Sequence, residues 1–397
     1  MILTSLFFIF SVFLIDFYIG IFINRHASKH KKLFFKRIHL GLIIAFLVVE
    51  LFLIIYIQLS GFPEYIKYRD IFYVIGLFMI IYLPKAAMVL FFLFADLFRF
   101  LNKKTIARIF LFIGFAFGLF TFYNVVWGFL IGKYDFEVRR VTIESPDIPK
   151  AFDGFKITQF SDMHLGSFSS SVDINKGLSL IQALNPDIIV FTGDMINVDV
   201  LEAHLWKDEF KVLQAPFGKY SILGNHDLGD YRRWFSKSEG NEENAELAKV
   251  EEDMGFKVLI NEHVIIKKDH DSILLIGVNN WGLPPFKQYG NIDKAMNGNF
   301  SDMFKILLSH DPTHWENKVL KHTNINLTLS GHTHGWQFGI HWFGLEWSPI
   351  ALKYARWAGL YSENGQYLYV NRGMGFIGFP GRIGMRPEIT LFTLKRK

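Results

Sequence analysis

The chain of 397 residues carries 42 lysines and arginines against 37 acidic residues, a formal charge of +5, and has no cysteine. That length exceeds the usual size of one domain, so two structural units are expected. The missing thiols exclude disulfide staples, thiolate metal ligands and a cysteine nucleophile, which leaves His, Asp, Glu and Asn for any metal site.

Hydrophobic residues make up 51% of the chain and the mean hydropathy is +0.23, but the apolar excess lies in the first third and the charges gather after it. One unit is therefore matched to lipid and the other to water. Much of the basic excess sits beside the hydrophobic spans, where membrane orientation accounts for it, and no nucleic-acid partner is expected.

Four stretches, 2–23, 38–59, 71–94 and 106–131, are apolar over the roughly 20 residues that a helix needs to cross a bilayer. The first lacks the basic leading region and small-residue cleavage site of a signal peptide, so it is expected to stay. Arg25, Lys29, Lys31, Lys32, Lys36 and Arg37 follow span one, and Arg99, Lys103, Lys104 and Arg108 follow span three. Loops this basic stay in the cytoplasm, which predicts a multi-pass protein of the cytoplasmic membrane with everything after span four on the extracytoplasmic side. Arg139 and Arg140 argue weakly against that orientation, unless they touch anionic lipid headgroups, which is the expectation taken here.

Asp16, Glu50 and Lys85 each place one ionisable group within a span, where such groups are costly unless paired. Asp16 and Lys85 lie at matching depth, each about 14 residues from the outer end of its span, which predicts an ion pair. The competing expectation is that Pro84 breaks span three and lets Lys85 reach water.

From Phe155 the pattern changes to short strands that each end in a polar cluster. Residues 156–160 lead into Ser161-Asp162-Met163-His164, and 187–191 into Thr192-Gly193-Asp194. Residues 220–223 lead into Gly224-Asn225-His226-Asp227, 305–308 into Ser309-His310-Asp311, and 326–329 into Ser330-Gly331-His332-Thr333-His334. Sheet-based enzymes assemble their sites at such carboxyl ends of strands. A polar, Glu-rich stretch over 240–252 reads as a loop running into a helix, with no chemistry attached.

Oxygen and imidazole donors suit hard or borderline divalent metals. Asp162 and His164 alternate by two, as do His332 and His334, so each pair can present two donors to one ion from extended backbone. With Asp194, Asn225 and His310 the set reaches seven candidate ligands, too many for one tetrahedral ion. It suits two ions ~3.5–4 Å apart that share a carboxylate, an arrangement that activates water and clamps a phosphoryl group.

Asp162-x-His164, Gly193-Asp194, Gly224-Asn225-His226-Asp227, His310 and Gly331-His332-x-His334 resemble, in order, the signature of the calcineurin-like metallophosphoesterases. The ending Tyr369-Val370-Asn371-Arg372-Gly373 through Arg386-Pro387-Glu388-Ile389 resembles the bacterial YkuE-like and YaeI-like branch. The resemblance covers about residues 150–397. It implies a four-layer α/β sandwich, with two central mixed sheets flanked by helices, which here follows the all-α bundle of four transmembrane helices read from the apolar stretches. It also implies two divalent ions, manganese, iron or zinc, of which one is held by Asp162, His164, Asp194 and His334. The other would be held by Asp194, Asn225, His310 and His332, with Asp194 bridging. A metal-bridging hydroxide would attack phosphorus, His226 would stabilise or protonate the leaving oxygen, and Asp227 would orient His226.

One departure is Trp336, where many relatives carry a second glycine after Gly335. It opens an aromatic stretch with Trp342, Phe343, Trp347, Tyr354 and Trp357. A widened apolar rim for a lipid-linked phosphate or the bilayer surface is one reading, and rings that merely cap the sheet core are the other. Arg372 and Arg382 read as structural arginines sooner than phosphate contacts, while His26, His30, His39, His204, His263, His270, His314, His322 and His341 receive no role.

These readings divide the chain into a transmembrane domain over 1–136 and a catalytic domain over 137–397. The expected activity is phosphoester or pyrophosphate hydrolysis on a phosphorylated or lipid-linked small molecule. The rival expectation is a membrane sensor or transport protein whose metal-binding domain is regulatory, against which stands the lack of repeated Gly- or Pro-broken spans.

Overall fold

A computed structural model describes residues 2–26, 28, 31–229, 237–342 and 344–397. Lys29, His30 and Phe343 lie outside the described residues. The backbone separates into two compact units, Met1–Leu130 and Ile131–Lys397.

The first unit holds four helices, α1 (Ile2–His26), α2 (Lys32–Leu59), α3 (Glu64–Phe100) and α4 (Lys104–Leu130). Among the described residues, three of them, α2, α3 and α4, are long and apolar enough to cross a membrane. The expected count of four is corrected accordingly. The stretch 2–23 is helical within α1, but the side chains of its first residues fall outside the described set, and what remains is shorter than a crossing needs. Gly114 and Gly118, one turn apart on α4, meet Phe92 and Met88 of α3, and a methyl group at Gly118 would land on the Met88 side chain. Small residues at such spacing let helices approach closely in lipid.

The ion pair between Asp16 and Lys85 forms, at 2.8 Å. The Tyr82 hydroxyl donates to the second carboxylate oxygen of Asp16 at 2.8 Å, and α3 continues through Pro84 without a break. Truncating either partner strands the other charge in a low-dielectric bundle. Thermal unfolding of Asp16→Ala, Lys85→Ala and the double variant is expected to reveal a coupling of about 1–3 kcal/mol, and additive losses would remove the pair from the account.

The second unit contains two six-stranded mixed sheets. The chain order is β1 (Glu137–Ser145), β2 (Lys156–Phe160), β3 (Ile188–Phe191), β4 (Lys219–Ser221) and β5 (Lys257–Val258). There follow β6 (Glu262–Lys268), β7 (Asp271–Gly277), β8 (Phe304–Leu308) and β9 (Leu327–Ser330). A two-stranded ribbon, β10 (Ile340–Trp342) and β11 (Leu345–Trp347), precedes β12 (Gly359–Glu363), β13 (Gln366–Val370) and β14 (Glu388–Arg396). One sheet has the order β1-β14-β2-β3-β4-β5 and the other β12-β13-β9-β8-β7-β6.

Period-two alternation sends successive side chains of one strand to opposite faces. Ile188 and Val190 of β3 join Ile273, Leu275, Ile306 and Leu308 in one buried cluster shared by both sheets. Ile189 and Phe191 turn the other way, onto Ile174, Leu178 and Ile181 of helix α5 (Ser171–Ala183). In the second sheet Leu274, Ile276 and Leu307 face Trp315 and Val319 of a helical stretch. Both faces of each sheet's middle strands are therefore covered, as near-continuous apolar runs require.

Candidate metal centre

Parallel pairing of β2, β3 and β4 aligns Phe160 with Phe191 and Phe191 with Ser221, and in the other sheet Leu308 pairs with Leu329. The carboxyl ends of these five strands share one edge, so the loops that follow them emerge side by side. The two sheets are stitched here: Gln159 Nε2 donates to the Ser330 carbonyl at 2.9 Å, and His310 Nδ1 meets the Thr192 carbonyl at 2.8 Å.

The loops turn sharply. Asp162, His164, Asp194, His332 and His334 all have left-handed backbones, with φ of 51°, 47°, 61°, 75° and 52°. Each costs on the order of 1–3 kcal/mol for a residue with a side chain, and such strain persists only where surroundings over-determine it, as at functional sites. Gly224 and Gly331 permit the closest approaches, because a Cβ at Gly224 would land on the Asp194 carboxylate and one at Gly331 on Ser161 and Asp162.

All seven candidate ligands converge. His334 Nε2 lies 3.3 Å from Asp162 Oδ1 and 3.0 Å from His164 Nε2. His310 Nε2 lies 3.1 Å from Asn225 Oδ1, which is 2.8 Å from His332 Nδ1. Asp194 Oδ2 joins the two groups, 3.8 Å from His164 Nε2 and 3.1 Å from His310 Nε2. Asp162-His164-His334 and Asp194-His310-His332 each bring three donor atoms close enough to hold one ion.

Backbone carbonyls fix which ring nitrogens face inward. Nδ1 of His164 meets the Ile196 carbonyl at 3.2 Å, Nδ1 of His310 that of Thr192 at 2.8 Å, and Nδ1 of His226 that of Asn197 at 2.7 Å. A carbonyl only accepts, so each neutral ring carries its proton there and keeps the Nε2 lone pair free. His332 is reversed. Its Nε2 meets the Tyr354 hydroxyl at 2.9 Å and Asp311 Oδ2 at 3.5 Å, and its Nδ1 faces Asn225.

Burial lowers the pKa of His164 to about 3 and of His332 to about 4, and holds His334 well below the usual value. These rings are neutral at pH 7, the form that binds metals. Burial raises Asp162 to about 7. Asp194 goes the opposite way: burial pushes it up, but the charge and hydrogen bond of His310, together with the charges of His226 and His164, outweigh this and hold it well below the usual range. Burial also opposes a charge on His310, but the Asp194 carboxylate beside it pushes this ring up to about 10, so it must give up a proton to take a metal. Two buried aspartates beside the neutral rings of His164, His332 and His334 fit divalent cations, and Asn225 Nδ2, buried without a hydrogen-bond partner, shows an amide oriented by its oxygen alone.

His226 follows Asn225 directly and stacks edge-on against His164, with ring centroids 4.7 Å apart. Its orienting contact comes from the Asn197 carbonyl. Asp227, expected to steer His226, accepts backbone N–H bonds from Asp194, Met195, Ile196 and Gly224. It thus shapes the loop that presents Asp194.

Several supporting residues carry no signal in sequence. Buried Glu202 accepts backbone N–H bonds from Gly166, Asn197, Val198 and Asp199, which braces the Asn197 carbonyl behind His226. Arg372 pairs with Glu388, Glu346 and Glu137 at 2.6–2.7 Å, and Arg382 donates to the carbonyls of Gly375 and Arg372 and lies 3.3 Å from His334 Nδ1. Both are structural arginines. His314 meets Ser309 Oγ at 2.8 Å and stacks on Trp281, away from the candidate ligands.

The family model for calcineurin-like phosphoesterases matches residues 155–336. The metallophosphoesterase YkuE of Bacillus subtilis (strain 168) is 37% identical over 265 residues, which cover 65% of this chain and 85% of that protein. A transmembrane protein with metallophosphoesterase domain from Danio rerio is 28% identical, over 68% of this chain and 60% of its own length. The UDP-2,3-diacylglucosamine pyrophosphatase LpxG of Chlamydia trachomatis is 28% identical, over 59% of this chain and 83% of its own.

Proposed function

This chain belongs to the calcineurin-like phosphoesterases and is a metal-dependent phosphoester hydrolase, and on that premise we propose that seven side chains hold two divalent ions across the seam of its sheets. Asp162, His164, Asp194 and His334 take one ion, and Asp194, Asn225, His310 and His332 the other. The observation that carries this reading is Asp194 Oδ2, within 3.1 and 3.8 Å of imidazole nitrogens from the two groups. When bound, such ions, manganese, iron or zinc, supply Lewis acidity toward water and the phosphoryl oxygens. His226, its Nδ1–H held by the Asn197 carbonyl, would stabilise or protonate the leaving oxygen through Nε2 in the imidazolium form, which carries a proton on both ring nitrogens.

The finer fold reading, a four-layer α/β sandwich over 137–397, is supported by three apolar clusters, one shared by the sheets and one outside each. Residues 1–136 form the membrane anchor in this reading, and the basic loops after the first and third apolar stretches put the catalytic unit outside the cytoplasm. The pyrophosphatase relative, named for a diacylated sugar nucleotide, supports a lipid-linked phosphate as substrate.

The test uses the full chain in detergent with manganese and p-nitrophenyl phosphate mono- and diesters. Hydrolysis is expected to vanish with chelation and to return with metal. His226→Ala is expected to lower kcat by roughly 10²–10⁴ with bound metal unchanged. An inert wild-type chain, or a fully active His226→Ala, would end the proposal.

A further inference from the structure

The β10/β11 ribbon has its amphipathicity inside out. Ile340 pairs with Trp347 across the ribbon, Leu345 precedes Trp347 by two, and these three are 51%, 44% and 63% exposed. The residue between them, Glu346, turns inward to Arg139 at 2.6 Å and Arg372 at 2.7 Å. Half-buried ribbons ordinarily turn the apolar face in and the charge out. Trp336 and Leu352, 59% and 86% exposed, extend the patch. Tyr354 and Trp357 are buried, so the aromatic stretch divides into rings that cap the core and rings that face outward.

The ribbon is not a loose flap. Ser348 Oγ at its base donates to the Gly335 carbonyl at 2.7 Å and lies 2.8 Å from that of Phe338, which ties it to the loop carrying His332 and His334. Arg139, expected at lipid headgroups, instead pairs with Glu346, and Lys353 beside Leu352 is an exposed cation at this edge. The chain is also short here: Arg139, which grips the ribbon through Glu346, comes only nine residues after Leu130, the end of the last apolar helix.

From this geometry we infer that the ribbon seats the catalytic unit on a lipid bilayer, with Ile340, Leu345 and Trp347 among the acyl chains and Lys353 at anionic headgroups. Tryptophan and leucine with a flanking lysine suit that interface. The occupant is the bilayer surface itself, and the inference rests on the reading that the apolar helices anchor this chain in a membrane.

The absence of cysteine makes the test clean, since one introduced thiol takes one spin label. Leu345→Cys, Val172→Cys at an exposed position of α5 and Leu119→Cys on α4 are each labelled in the full chain and reconstituted in nanodiscs containing anionic phospholipid. Relaxation by oxygen and by a water-soluble nickel chelate is then measured. At Leu345 the label is expected to be several-fold more accessible to oxygen than to nickel, as at Leu119, with the reverse at Val172. A Leu345 label as open to nickel as that at Val172, with Leu119 still in lipid, overturns the ribbon inference alone. Nickel access at Leu119 as well overturns the membrane reading beneath it. Dipolar broadening at Leu345 would make the occupant a second copy of this chain and likewise overturns the proposal.

Discussion

Replacing Asp194 by asparagine should lower kcat/KM for phosphate esters by about a thousandfold or more, equivalent to ~4 kcal/mol of transition-state stabilisation. The substitution keeps shape and removes charge. Asp194 Oδ2 is the atom common to both donor groups, and its second oxygen accepts the N–H of His226 at 2.9 Å, so one side chain serves the metal cradle and the placement of the acid. A chain stripped of the charge should also bind less manganese, read by equilibrium dialysis beside the kinetics. Retention of more than a tenth of the activity would mean that Asp194 bridges nothing.

The second large effect is on stability. Asp227→Ala removes a carboxylate that accepts four backbone N–H groups, from Asp194 at 2.7 Å, Met195 at 2.8 Å, Ile196 at 3.2 Å and Gly224 at 2.9 Å. All four donors lie in buried loops, and a buried donor without a partner costs about 1–3 kcal/mol. Partial relaxation and entry of water reduce the sum, so the expected loss is ~3–5 kcal/mol, seen as a fall in Tm of roughly 10 °C for the unit that holds the site. The fall should persist with chelator present, which separates it from any loss of metal. An unchanged Tm with reduced activity would return Asp227 to the role of orienting His226.

The candidate ligands were legible because their chemistry is local. Each sits within four residues of a strand end, and the sequence boundaries of those five strands match the observed ones within two residues. The donor types alone then specify an oxygen and nitrogen site. What could not be read is whatever depends on distant partners. Glu202 looks like one more helical glutamate until the loop 197–199 wraps over it. Arg372 reads as a structural arginine, but its partners Glu137, Glu346 and Glu388, on three separate strands, could not be named from sequence. The Asn197 carbonyl that meets His226 Nδ1 was illegible for a related reason, since a backbone carbonyl has no signature in sequence.

The aromatic stretch after Trp336 shows the same limit from the other side. Its composition could not divide buried Tyr354 from exposed Trp347, because the ribbon's facing is set by Arg139 and Arg372 gripping Glu346.

The stitched edge of the two sheets has one further implication. Asp162, His164, Asp194 and Asn225 belong to loops of one sheet and His310, His332 and His334 to loops of the other, so ions shared among them would act as rivets between layers otherwise joined chiefly by greasy contact. Amide protons of Ile189 and Leu307, deep in separate layers, would then slow their deuterium uptake together when metal is added, although neither residue lies beside the ions.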